Sequence, residues 1–138
     1  MKSILSISRT TLITACLCLL ASPLCSAAPP DLSGSYTCSG KDAVDNSEYT
    51  VDMTVTKNGD VYNYKGVETG MNNKTQNYMG TGLFAKNSNS ILASEFWQVD
   101  NLNKAGVIIY QIQPDGSLEG VWTWRDKNAV GSEICKKK

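Results

Sequence analysis

The sequence predicts an all-β protein, a single eight-stranded antiparallel up-and-down β-barrel, with a two-sheet β-sandwich as the alternative. Three observations lead there. From residue 34 onward, short segments alternate apolar and polar residues with period two, no stretch has a helical period, and Gly, Asn, Asp and Pro clusters separate the segments. Most of the links are of hairpin length, which joins antiparallel neighbours. Cys38 and Cys135 fall in the first and last of these segments, and closing a barrel makes those strands neighbours.

Residues 1–27 read as a signal peptide. Lys2 and Arg9 precede an apolar run from Thr11 to Leu24, and Cys25-Ser26-Ala27 supplies small residues for cleavage after Ala27. The run is shorter than the roughly 20 residues of a spanning helix, and Pro23 interrupts it. Leu24 is bulky where a lipoprotein signal carries a small residue. The expectation is an exported chain, periplasmic or extracellular, with no membrane insertion after cleavage. Removing 27 residues from 138 leaves 111, the size of one domain. With Lys2 and Arg9 gone, 11 basic residues face 13 acidic ones, a net charge of −2. Nucleic acid is excluded as a partner, because phosphate binding needs a clustered basic face.

Cys16, Cys18 and Cys25 leave with the signal peptide, so Cys38 and Cys135 remain as the expected disulfide in an oxidising compartment. No histidine is present to complete a zinc site.

The mature chain starts with a short Pro29-Pro30 leader, 28–33, before a barrel domain spanning 34–135. Gly34 to Ser39 is the first strand. Glu48 to Lys57 is the clearest: Tyr49, Val51, Met53 and Val55 are expected inside, with Thr50, Asp52 and Thr54 outside. Asn58-Gly59 predicts a tight type I′ turn into Val61 to Val67. Glu68 to Asn77 is polar and reads as a long loop. Tyr78 to Ala85 aligns Tyr78, Gly80, Gly82 and Phe84; glycines within strands mark close approach or curvature. Lys86 to Asn89 turns into Ser90 to Val99, which is apolar on both faces, as a strand covered on both sides would be. Asp100 to Lys104 is a polar connection to Gly106 to Gln113. Pro114-Asp115-Gly116 is a turn, with proline presetting φ and glycine in the left-handed position. Ser117 to Arg125 places Leu118, Gly120, Trp122 and Trp124 on one face. Val130 to Cys135 is the last strand, and 136–138 form a basic tail.

Leu32-Ser33-Gly34-Ser35-Tyr36 and Asp115-Gly116-Ser117-Leu118-Glu119-Gly120-Val121-Trp122 resemble strand patterns of small up-and-down barrels of the avidin and lipocalin type. Tyr64-Lys65-Gly66, Tyr78-Met79-Gly80 and Gly120-Val121-Trp122 are similar to the Tyr-x-Gly and Gly-x-Trp strands of small exported bacterial proteins. The resemblance implies a fold and carries no ligand; no residue set here would hold biotin in the avidin manner.

Enzyme signatures are missing. Without histidine there is no Ser-His-Asp or Cys-His arrangement, and no P-loop, Gly-x-Ser-x-Gly or dinucleotide fingerprint occurs. No cofactor is expected. Glu95, Glu119 and Glu133 lie in strands, and a glycosidase needs only two carboxylates, yet glutamates on a wet strand face are ordinary. Asp42, Asp45, Asn46 and Glu48 put oxygen ligands in one loop without EF-hand spacing, so they read as a solvated loop and no metal is assigned. Asn73-Lys74-Thr75 is a glycosylation sequon, relevant only in a eukaryotic secretory pathway.

Aromatic residues are the remaining candidates. Tyr62, Tyr64, Tyr78, Trp97, Trp122 and Trp124 all fall in strands. Filling the core is the plainer role; lining a barrel mouth as a ligand site is the sharper one. The functional expectation is a non-enzymatic binding module for a small molecule, glycan or protein. The alternatives are an inhibitor-like or structural envelope protein acting through its outer surface, and a carboxylate-only hydrolase.

Overall fold

β1 (Gly34–Lys41), β2 (Glu48–Asn58), β3 (Val61–Gly70), β4 (Thr75–Phe84), β5 (Ile91–Gln98), β6 (Asn101–Ile112), β7 (Leu118–Trp124) and β8 (Gly131–Lys137) follow one another round a closed barrel. Each strand pairs antiparallel with the next, and β8 returns to pair with β1, so no sheet edge remains and the sandwich alternative is set aside. The computed structural model describes residues 28–70 and 73–138. The expected signal peptide lies outside the described residues.

Closure sets the two cysteines directly opposite each other in the β1–β8 ladder, and Cys38 and Cys135 are bonded, with no exposed surface.

Alternation puts the apolar set of each strand inside. In β2, Met53 and Val55 are buried and Tyr49 and Val51 partly so, while Thr50, Asp52 and Thr54 are exposed, as the pattern predicts. A one-residue slip would bury Asp52 unpaired, which costs more than a buried valine returns, roughly 1.5–3 kcal/mol.

The two ends of the barrel differ. At the end that carries the chain terminus, Tyr36, Tyr62, Leu92 and Leu118 are almost fully buried. The leader closes this end from outside the strands. Leu32 is buried among the core residues, its carbonyl accepts a hydrogen bond from the Tyr36 hydroxyl at 2.9 Å, and the Pro30 carbonyl accepts one from Tyr62 at 3.1 Å.

Several sequence expectations are corrected. The long loop at 68–77 is mostly strand: β3 runs to Gly70 and β4 starts at Thr75. The expected connection at 100–104 likewise belongs largely to β6, with a register irregularity opposite Trp97 and Gln98. At a barrel rim both faces meet water, so ladder hydrogen bonds form without hydrophobic alternation to advertise them. The β2–β3 turn is also different. Asn58 pairs with Val61, so Gly59 and Asp60 are the central residues, and of the two only Gly59 has positive φ, at 63°. That is the pattern of a type II′ turn, which places glycine first. Gly116 does take the left-handed position, with φ of 81°. The outer face of β5 is not covered: Ile91 and Ala93 are exposed. Lys136 and Lys137 continue β8 opposite Thr37 and Tyr36, rather than forming a loose tail, and the Lys138 ammonium lies 2.6 Å from Asp52 Oδ1.

The early acidic loop satisfies itself. Asp42 Oδ1 accepts the Val44 amide at 2.7 Å, and Asp45 Oδ1 accepts the Ser47 amide at 2.8 Å.

Candidate functional site

The end opposite the leader is open. Tyr49, Tyr64, Tyr78, Phe96, Tyr110, Trp122 and Trp124 line a pocket there together with Val51, Met53, Ile108 and the carboxyls of Glu68 and Glu133. The space left between these side chains is about 60 Å³.

The aromatic wall is continuous. Tyr49 meets Trp122 with ring centroids 6.1 Å apart, Trp122 meets Phe96 at 6.1 Å, Phe96 meets Trp124 at 5.2 Å, and Trp124 meets Tyr78 at 6.2 Å. Most of these pairs are edge-on, the arrangement ring quadrupoles favour.

Glycines make room for the rings. Gly40 is the ladder partner of Tyr49, Gly80 of Tyr64, Gly106 of Phe96, Gly120 of Tyr110 and Gly131 of Trp122. In each case a Cβ on the glycine would stand 2.0–2.8 Å from an atom of that ring. The interior glycines therefore mark the places where a neighbouring ring lies down across the strand.

Glu133 sits between two of these pairs. In β8 it faces Gly40 of β1 on one side and Gly120 of β7 on the other. The rings that cover those glycines also bond its carboxyl: Tyr49 donates to Oε2 at 3.0 Å and Tyr110 donates to Oε1. Trp122 Nε1–H donates in turn to the Tyr49 hydroxyl at 2.7 Å. Burial pushes the Glu133 carboxyl above the usual glutamate range, and the bonds from Tyr110 and Tyr49 take back part of that rise. Burial and the charge of Glu133 push both tyrosines upward.

Glu68 is the second inward carboxyl. Burial raises its pKa first, Asp42 and Glu133 add to the rise, and the Tyr78 hydroxyl and Lys104 oppose it. Above it the Tyr78 hydroxyl donates to Gln76 Oε1 at 3.1 Å and accepts from Gln98 Nε2 at 2.9 Å, which ties β4 to β5 at the rim.

Of the six aromatics singled out by sequence, Tyr64, Tyr78, Trp122 and Trp124 come together in this pocket. Tyr62 and Trp97 do not. Tyr62 packs at the closed end against Phe84, and Trp97 is on the outward face of β5, between Met79 and Ala105. Of the three strand glutamates only Glu133 faces inward; Glu95 and Glu119 are exposed. Sequence reasoning missed Glu68, Phe96 and Tyr110. Glu68 continues the inward series of Tyr62, Tyr64 and Gly66 and was legible in phase. Phe96 and Tyr110 lie in strands apolar on both faces, where alternation carries no phase.

Among the described residues, one group could offer three metal-ligand atoms: Cys38, Glu133 and Cys135. Its sulfurs are already joined in the disulfide.

No protein-family model and no curated protein matches this sequence. Solved structures do match in fold. A redesigned β-barrel, mFAP1, bound to DFHBI has a TM-score of 0.65 at 8% identity, over 76% of this chain and 94% of that one. A de novo designed fluorescence-activating β-barrel has a TM-score of 0.63 at 13% identity, over 77% and 93%. EF1p2_mFAP2b bound to DFHBI has 0.63 at 7% identity, over 78% and 94%. At such identities the likeness is one of fold, a small β-barrel.

Proposed function

We propose that this chain is an exported, non-enzymatic binding module that receives a small ligand through the aromatic mouth of its barrel. The observation that carries this reading is the asymmetry of the ends: one is sealed by the leader and packed, the other is open, ring-lined and polar at its base. Aromatic walls with a few converging polar groups are the usual make-up of a small-molecule site. Two of the barrels of similar fold are bound to DFHBI, which agrees with a barrel of this fold serving as a binding module. The cavity here admits the end of a ligand, and the remainder would project from the mouth. Export rests on the N-terminal segment and on the disulfide, which suits an oxidising compartment.

A carboxylate-only hydrolase is the weaker reading. Both oxygens of Glu133 already accept hydrogen bonds from tyrosines, which hold the carboxyl against its own wall. A partner on the outer surface is the second reading. It is favoured by Ile91, Val107, Ile109, Val121 and Ile134, which stand exposed on the neighbouring strands β5 to β8.

The three tryptophans separate these readings. Trp122 and Trp124 line the mouth, and Trp97 is outside. With a panel of small molecules, the indole N–H resonances of Trp122 and Trp124 should shift saturably while Trp97 stays still. A panel that shifts none of them, or Trp97 alone, would overturn the mouth as the site.

A further inference from the structure

On the reading of the open mouth as a ligand site, we infer that the end of the ligand seated in it is a small organic cation, an ammonium bearing a methyl group or a short alkyl chain. The walls and the charges of the pocket point the same way. Tyr, Trp and Phe rings enclose it on several sides, and ring faces attract ammonium groups. The ionisable residues lining it, apart from the tyrosines, are Glu68 and Glu133. No lysine or arginine is among the lining residues.

Each class of ligand meets a different balance here. An anion would face two carboxyls of its own sign. A neutral apolar group would take water from Glu68 and offer nothing in return, at the cost that attends burying a charge without a partner. A cation would neutralise them and rest against the rings. It would also offset the negative charges of Asp42 and Glu133, which, after burial, raise the pKa of Glu68.

The groups around the two acids leave this position open. Glu133 is faced by the hydroxyls of Tyr49 and Tyr110, which orient the carboxyl without supplying positive charge. Glu68 is faced by the Tyr78 hydroxyl, by Asp42 from the β1–β2 loop and by Lys104 from β6. Lys104 is exposed and does not line the pocket. Size agrees: a cavity of about 60 Å³ is several times the roughly 10–15 Å³ that a single water requires, enough for an ammonium group and an attached carbon.

Three probes of equal chain length test the inference on the folded, disulfide-bonded protein: n-butylammonium chloride, 1-butanol and sodium butyrate, at matched ionic strength. The indole resonances of Trp122 and Trp124 are the readout. Butylammonium should half-saturate at a concentration about tenfold below that of butanol, and butyrate should bind most weakly. Glu68→Gln should weaken butylammonium about fivefold or more and leave butanol unchanged. Glu133→Gln should do the same; if it fails to fold, Glu68→Gln alone decides. Butanol binding as tightly as butylammonium, or Glu68→Gln leaving the cation unaffected, would overturn the cation while the mouth stands as a site. If none of the three probes shifts either indole, the site and the cation fall together.

Discussion

Tyr49 and Glu133 meet over a glycine. Gly40 in β1 is the ladder partner of both, and because it has no side chain the Tyr49 hydroxyl reaches the Glu133 carboxylate two strands away, at 3.0 Å. The contact that orders the carboxyl thus depends on an atom that is not there. A Cβ at Gly40 would lie 2.3 Å from Tyr49 Cζ and 2.7 Å from the backbone oxygen of Ser132.

Gly40→Ala should therefore destabilise the protein by about 1–3 kcal/mol, the usual cost of overpacking, and should move Tyr49 off Glu133. Urea unfolding gives the first, and the Trp122 indole resonance, whose N–H donates to Tyr49, reports the second. A neutral substitution would mean that Tyr49 does not lie across this strand.

The Glu133 carboxyl has a sign to check. Its folded pKa is raised above the unfolded value, chiefly by burial, so the folded state holds the proton more tightly. Its contribution to stability is full below the unfolded glutamate pKa and is lost as pH rises through the folded one. Glu133→Gln removes that dependence. The unfolding midpoint of the unmutated protein should accordingly fall relative to the variant as pH rises above the ordinary glutamate pKa of about 4.3. Asp31, Asp45, Asp52 and Asp115 are shifted the opposite way and act alike in both proteins. Parallel curves would show that the native carboxyl is not desolvated.

Gly59 offers a test free of packing. Its φ is 63° and a Cβ there would touch nothing within 4 Å, so only backbone strain is at stake. Gly59→Val should cost on the order of 1 kcal/mol or more, and Gly59→Ala somewhat less. A melting midpoint unchanged by valine would mean a different turn.

The disulfide should resist reduction in the native state, since both cysteines are fully buried. Thiol labelling after dithiothreitol should stay near zero in buffer and become complete in denaturant. Breaking the bond should lower stability by up to about 4.7 kcal/mol, the chain-entropy figure for a loop of on the order of 100 residues. Rapid labelling in buffer would place the bridge on an exposed surface.

Single strands declared themselves by phase. The alternation of Tyr49, Val51, Met53 and Val55 with threonines and Asp52 admits one orientation, because burying the other face would strand a carboxylate. The series Leu118, Gly120, Trp122 and Trp124 was legible for the same reason, and the barrel followed from the count of such strands and the placement of Cys38 and Cys135. Ile91 to Gln98 and Val107 to Ile112 were legible as strands but not in phase, since they are apolar on both faces; only the neighbours across the ladder decide that Phe96 and Tyr110 turn inward. The rim was hidden too, because Thr75 and residues 101–104 are exposed to water, and pairing there needs no pattern. The pocket belongs wholly to the tertiary structure. Glu133 becomes a buried, tyrosine-held carboxyl only because register brings Gly40 and Gly120 to either side of it, and register between strands distant in the chain is set by closing the barrel, not by any local preference of the residues.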